Sequence, residues 1–329
     1  MRAPLFWQNP PEQPGWQAHL LKPLSSLYGF ATARRVRKSP DITPNCPVIC
    51  VGNLSAGGTG KTPTVIALIE HLRPQNVHVV SRGYGGTETG PTRVSERRHK
   101  AADVGDEPLL IAAFAPTWIA QDRAEGVRAA ENDGAEIILL DDGFQNPSVA
   151  KSFSIVVVDA ALGFGNGRIL PAGPLREPVE QGLKRADLLL SIGDENAQDH
   201  FLKKWGPRVS VPHATAHLKT LETGMDWQGQ RVMAFAGIAH PEKFFTTLRG
   251  LGADLIRTEA LSDHQPLSDA LMKRLEIEAM ALSAQLVTTE KDAVRLPPSF
   301  RQKVLTLPVR LEFDDKAHLS EVLNRLTLA

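Results

Sequence analysis

One run of this chain has the residue types and order needed to hold a polyphosphate: Val48-Ile-Cys-Val-Gly-Asn-Leu-Ser-Ala-Gly-Gly-Thr-Gly-Lys61-Thr62-Pro63. A short apolar, β-prone stretch breaks into a glycine-dense turn and then into a helical pattern. Glycines lack Cβ atoms, so successive backbone N–H groups can converge on an anion, and the following helix adds its N-terminal partial positive charge. Gly57, Gly58, Thr59 and Gly60 form the cradle, Lys61 reaches the outer phosphates, and the Thr62 hydroxyl is placed for a magnesium ion. The strict form of this loop has glycine six residues before the lysine; here Ser55 stands there, and the nearest earlier glycine is Gly52.

Five other segments carry side chains suited to phosphoryl chemistry. Glu136-Ile-Ile-Leu-Leu-Asp141-Asp142-Gly-Phe-Gln145 is an apolar strand ending in carboxylates about 80 residues after Lys61, and Asp141 or Asp142 can face the Thr62 hydroxyl across a metal. Val104-Gly-Asp106-Glu107-Pro108 reads on composition first as a helix cap, with Asp106 also a carboxylate able to take a proton from an attacking hydroxyl if it can reach it. The segment Gly163 to Pro178 has too many glycines and prolines for a helix, and long irregular loops are usually functional. Within it Arg176 can neutralise a transferring phosphoryl group, and Glu177 can orient a metal, lysine or arginine. Two shorter loops, Arg82-Gly-Tyr84 and Ser262-Asp263-His264, offer a cation, an aromatic ring and an imidazole.

The elements that must position these groups alternate as in a parallel α/β sheet. Strands are predicted at Val48–Val51, Val77–Ser81, Thr117–Ala120, Glu136–Leu140, Ser154–Val158 and Asp187–Ser191, with helices at Thr64–Leu72, Glu107–Phe114 and Arg123–Asn132. Sites in such sheets lie at the carboxyl ends of the strands, where these motifs fall. β-like runs over 208–220 read as a connector to a second α/β pattern, with strands near Arg231–Gly237, Leu255–Thr258, Gln285–Thr289 and Val304–Leu307. Helices are expected at Pro241–Gly250, Ser268–Ala284 and Ala317–Leu326. The expected organisation is an N-terminal helix and linker (1–40), a nucleotide-binding domain (41–207) and a linker with a smaller domain (208–329).

Length and charge agree with two cores and no polyelectrolyte partner. The chain has 329 residues, 42% hydrophobic, and 37 basic side chains balance 37 acidic ones, so no overall field draws it to nucleic acid. Cys46 and Cys50 match neither a zinc nor a redox spacing and fit a reducing compartment. The N-terminus lacks the apolar run and cleavage site of a signal peptide. Instead Trp16, Leu20, Leu24, Leu27, Tyr28 and Ala31 recur at helical spacing, Pro23 suits a first turn, and Arg34, Arg35, Arg37 and Lys38 follow. Such a stripe either lies in a membrane interface against anionic headgroups or packs on the main domain.

Taken together, the motifs from Val51 to Ala293 resemble the tetraacyldisaccharide 4'-kinase family, the lipid A 4'-kinases of Gram-negative bacteria. The carrying segments are those above together with Ser81-Arg-Gly-Tyr-Gly-Gly86, Gly165-Asn-Gly, Leu175-Arg-Glu177 and Thr289-Glu-Lys-Asp-Ala293. The resemblance implies a P-loop NTPase-like parallel sheet with helices on both faces and a smaller C-terminal α/β domain joined by a β-stranded linker, the two closing over ATP. It implies transfer of the ATP γ-phosphate, with Mg2+, to the 4'-hydroxyl of a tetraacylated glucosamine disaccharide 1-phosphate, forming lipid IVA. The expected setting is the cytoplasmic face of the inner membrane, with no obligatory protein partner. By position, Asp106 resembles the catalytic base with His264 as its dyad partner, and Lys61 and Arg176 are further catalytic residues. Glu107, Asp141, Asp142 and Glu177 resemble metal-site residues, Gln145 a nucleotide-site residue, and Tyr84 and Arg123 contacts to the sugar or its 1-phosphate. The chain departs from the family pattern at Asn146-Pro147, where a His is common, and at Arg168, where some members carry an aromatic residue.

The rival reading is a deviant P-loop ATPase switch that assembles or sorts a partner. Many of those have a lysine before the paired glycines to complete a neighbour's site, and Ala56 occupies that position. Guanine-reading signatures also fail, since Thr289-Glu-Lys-Asp has the letters in the wrong spacing, so ATP is expected.

Overall fold

A computed structural model describes residues 3–316 other than His264, together with Leu319, Glu321 and Leu323. Most of the expected helix from Ala317 to Leu326 lies outside the described residues. A nine-stranded sheet runs in the order Val309–Phe313, His213–Thr220, Leu188–Ile192, Phe153–Asp159, Val48–Gly52, Ile137–Asp141, Val77–Ser81, Thr117–Ile119, Thr92–Arg93. Only the two edge strands are antiparallel to their neighbours. The central strands are buried along their whole length, which is why they read as continuous apolar runs. Helices cover both faces. One core packs Val65, Leu68 and Ile111 against Val51 and Leu139; the other packs Val127, Leu183, Phe201 and Trp205 against the opposite side chains.

A second, four-stranded parallel sheet, Asp254–Ala260, Arg231–Ala236, Gln285–Thr289 and Val304–Leu307, carries its own cores around Phe245 and Leu275. The connector expected over 208–220 is regular structure in the large sheet: Leu189 to Ile192 pair in parallel with His213 to Ala216, and Val309–Phe313 pairs back antiparallel to Thr220–Ala216. The smaller sheet is therefore an insertion whose outgoing and returning strands both end the large one. The returning strand had no separate signal, because Val309-Arg-Leu-Glu-Phe313 follows Leu307 after a single proline.

At the N-terminus the helices Trp16–Leu20 and Lys22–Val36 run almost without a break, Pro23 sitting in the first turn of the second. The face turned to the body is small and polar. The Ser25 hydroxyl donates to the Ile169 carbonyl at 2.8 Å and accepts from the Ala172 N–H at 3.0 Å, Thr32 is buried, and a Cβ on Gly29 would lie 3.1 Å from Ile169. Trp16, Leu20, Leu24, Leu27 and Phe30 point away and are each more than half exposed. The helix packs on the domain through its small polar side, and the apolar stripe is the outer one.

Candidate active site

The cradle starts where the strand Val48–Gly52 ends against the turn after Asp141. A Cβ on Gly52 would stand 2.4 Å from the Phe144 Cβ, so glycine is needed for that approach. Ser55 is no defect, because that residue is held in a β-bridge to Leu175, with Ala56 N–H donating to the Pro174 carbonyl and Arg176 N–H to the Leu54 carbonyl, both at 2.7 Å. An extended residue stitched to the 163–178 loop has no use for glycine's freedom. Gly60 does: its φ is +94°, it precedes the helix Lys61–His71, and a Cβ there would meet Ile192 at 2.5 Å.

The same stitching carries Arg176 to the cradle. Its guanidinium makes a two-pronged contact with Asp142 at 2.9 and 3.2 Å, and Lys61 Nζ lies 3.8 Å from the same carboxylate. Burial alone would raise the Asp142 pKa, but Lys61 and Arg176 outweigh it and hold the carboxyl below its ordinary value. Asp142 sits at φ +53°, a conformation uncommon for a side chain with a Cβ. Gln145 completes the group, accepting from Arg176 at 3.1 Å and donating to the Asn53 carbonyl at 2.8 Å and to Glu177 at 3.0 Å.

Asp141 is the opposite case. Ser81 donates to its Oδ2 at 2.9 Å, while Oδ1 is buried with no hydrogen-bond partner among the described residues. Burial, then Glu107 and Asp142, push its pKa up to about 7 against the pull of Lys61 and Ser81. A buried, unpaired hard oxygen beside a cradle for phosphate fits a magnesium ion, which takes one or two carboxylates and completes its shell with phosphate and water. Among the described residues no three His, Cys, Asp or Glu side chains converge as a ready-made cage.

One expectation about an individual residue needs correction, and two gain detail. Glu177 is not available to a metal: both its oxygens accept from Arg185 at 2.6 Å and one also from Gln145, so it orients neighbours instead. Arg123 is buried and donates to the carbonyls of Ala120, Asp141 and Asp142 at 3.3 to 3.4 Å, so it braces the acidic turn while also lining the cleft. Glu107 is engaged across the domains by Lys291 at 2.9 Å. Asp106 is not the cap of its helix; Gly105 is, and Asp106 Oδ1 accepts from the Glu107 N–H at 2.9 Å. His264 lies outside the described residues. Tyr84 is exposed on the rim.

Lys61, Thr62, Tyr84, Glu107, Arg123, Asp141, Asp142, Gln145 and Arg176 all line one cleft of about 2350 Å³ between the domains, along with Lys243, Asp263 and Lys291 from the smaller one. Tyr28 and Arg35 of the N-terminal helix line it too. Lys243 also bridges to Asp159 at the end of a central strand, at 2.5 Å. Sequence reasoning missed Arg185, which has no motif around it, and the individual roles of Lys291 and Arg295, although the Thr289-Glu-Lys-Asp segment holding the first had been singled out.

Comparison with known proteins agrees with this geometry. The family model described as "Tetraacyldisaccharide-1-P 4'-kinase" matches residues 17–327. A tetraacyldisaccharide 4'-kinase of Dinoroseobacter shibae is 60% identical over 99% of this chain and 98% of its own length, and one of Jannaschia sp. is 58% identical over 99% of each. The crystal structure of LpxK from Aquifex aeolicus in complex with ATP superposes with a TM-score of 0.78 at 26% identity, covering 94% of this chain and 99% of that one. With a match spanning both domains and most of the N-terminal helix, the chain belongs to the tetraacyldisaccharide 4'-kinase family.

Proposed function

We propose that this protein is an ATP-dependent kinase that transfers the γ-phosphate to the 4'-hydroxyl of a tetraacylated glucosamine disaccharide 1-phosphate, and that transfer takes place in the inter-domain cleft. The observation that carries the reading is the convergence of the cradle, Arg176, the acidic pair and Glu107 on one cavity. In it Gly57 to Gly60 hold the phosphates, Lys61 and Arg176 offset their charge, and Asp142 keeps both cations in place. Thr62 and Asp141 would hold magnesium, which would supply positive charge against the phosphates during transfer. Asp106, buried beside Glu107 with one oxygen fixed by a backbone N–H, takes the acceptor proton.

The outward apolar stripe supports residence at the surface of a membrane. Among the described residues no helix is long and apolar enough to cross one. A helix that shows Trp16, Leu20, Leu24, Leu27 and Phe30 outward and ends in Arg34, Arg35, Arg37 and Lys38 suits the interface of an anionic leaflet. Because Tyr28 and Arg35 of that helix wall the cleft, acyl chains can stay in the bilayer while the sugar enters. The need for ATP assigns the cytoplasmic leaflet. Incubation with γ-labelled ATP and the acylated disaccharide 1-phosphate tests the reading. Label on the 4'-oxygen supports it, and release of labelled phosphate to water alone supports a nucleotide-driven switch.

A further inference from the structure

The segment from Thr289 to Arg295 reaches from the smaller domain to the carboxylates of the larger one. Arg295 is nine-tenths buried. Its Nη2 pairs with the fully buried Asp292, and its Nη1 donates to the Gln265 carbonyl at 3.0 Å. Its Nε is buried, has no hydrogen-bond partner among the described residues, and lies 3.9 Å from Asp106 Oδ2. A guanidinium N–H sealed from water and left unbonded is costly, so a state of the protein that satisfies it is favoured. A shift of about 1 Å brings Nε into hydrogen-bond range of that oxygen.

We propose that Arg295 is a positioning residue for the proton acceptor. When substrates fill the cleft, its Nε–H donates to Asp106 Oδ2, while Oδ1 stays on the Glu107 N–H. Two donors from two domains then fix the plane of the carboxylate, so that it meets the acceptor hydroxyl in one orientation. The same guanidinium ties down the main chain at Gln265, the residue after His264, which couples the loop of the smaller domain to the acid of the larger. This rests on the reading of Asp106 as proton acceptor.

Arg295→Lys isolates the claim, because lysine keeps a cation for Asp292 but puts a methylene where Nε–H stood. The expected result is a fall in kcat of about tenfold, the size of one hydrogen bond to a charged group. ATP affinity and KM for the lipid stay at wild-type values, the melting temperature falls by no more than the lost Nη1–Gln265 bond accounts for, and in an Asp106→Asn background the change adds no further loss to the residual single-turnover rate. Wild-type kcat in Arg295→Lys, a loss shared equally by ATP affinity and melting temperature, or an undiminished loss in the Asp106→Asn background would each overturn the proposal. If the lysine variant does not fold, Arg295→Met combined with Asp292→Asn, which strands no buried charge and puts a methyl where Nε–H stood, replaces it, with the same outcomes read against Asp292→Asn alone. Full activity in Asp106→Asn alone would remove the proton-acceptor reading itself.

Discussion

Arg185→Met separates what orders the site from what reacts in it. Arg185 donates to both oxygens of Glu177 at 2.6 Å and to the Phe144 carbonyl at 3.2 Å, and its guanidinium lies 4.4 Å above the Phe144 ring. Methionine keeps much of the stem's volume over that ring but leaves a carboxylate that is 4% exposed with Gln145 as its remaining side-chain donor. Removing one member of a buried pair costs about 3–5 kcal/mol, most of it the burden of the charge left behind. For a chain of this size that is a fall in melting temperature of roughly 4–7 °C. Glu177→Gln in the same protein removes the stranded charge while keeping an acceptor for Gln145, so the double variant recovers most of the loss. Urea titrations of the wild type, both single variants and the double variant give the coupling energy directly. A loss under about 1 kcal/mol in Arg185→Met, or a double variant no more stable than it, would refute the assignment of Glu177 as an orienting, charge-paired residue.

Three further outcomes are expected. Lys61→Ala abolishes lipid phosphorylation while leaving the circular dichroism spectrum and melting temperature near wild type; retained turnover would contradict the cradle assignment. Asp141→Asn, studied without nucleotide and in chelator, melts higher than wild type, and the gain is larger at pH 8 than at pH 5. The raised pKa means the native state keeps a proton that the unfolded chain loses, so the wild type loses stability as pH rises from the ordinary carboxylate range through about 7. Mg-ATP then stabilises the wild type more than the variant, and an equal gain at both pH values would contradict the buried-charge account. Replacing Leu20, Leu24 and Leu27 together by Ser leaves the melting temperature unchanged, since they touch solvent, but lowers recovery with anionic vesicles in flotation; unchanged flotation would contradict the membrane-interface reading.

Much of the site was legible because phosphate chemistry demands side chains at the ends of strands, and those ends carry local signals. The cradle and Asp141-Asp142 could be placed from the strand-turn-helix order alone. What did not show was how polar side chains share partners across long separations. Glu177 and Arg185 are eight residues apart, with nothing in the sequence to say that one consumes the other's charge. Arg123 reads as a helix-start cation, and only the packing of its helix on the sheet turns it toward buried carbonyls. The same limit applies to the domain boundary. The strand Val309–Phe313 gains its place from pairing with residues about 90 positions earlier, and no local pattern encodes such pairing. The N-terminal helix was ambiguous because an amphipathic stripe specifies which residues share a face, not which side meets the protein; Ser25, Gly29 and Thr32 settle it by filling the inner face.

The central claim, that Asp106, buried beside the cleft-lining Glu107, takes the acceptor proton, is tested most directly by rapid-quench measurement of a single turnover in Asp106→Asn. The substrates are γ-labelled ATP and the acylated disaccharide 1-phosphate, with ATP affinity measured on the same protein. The account predicts a transfer rate lower by about two to four orders of magnitude, the range for losing a general base, at unchanged ATP affinity. A wild-type rate of transfer, or a loss confined to nucleotide binding, would contradict it.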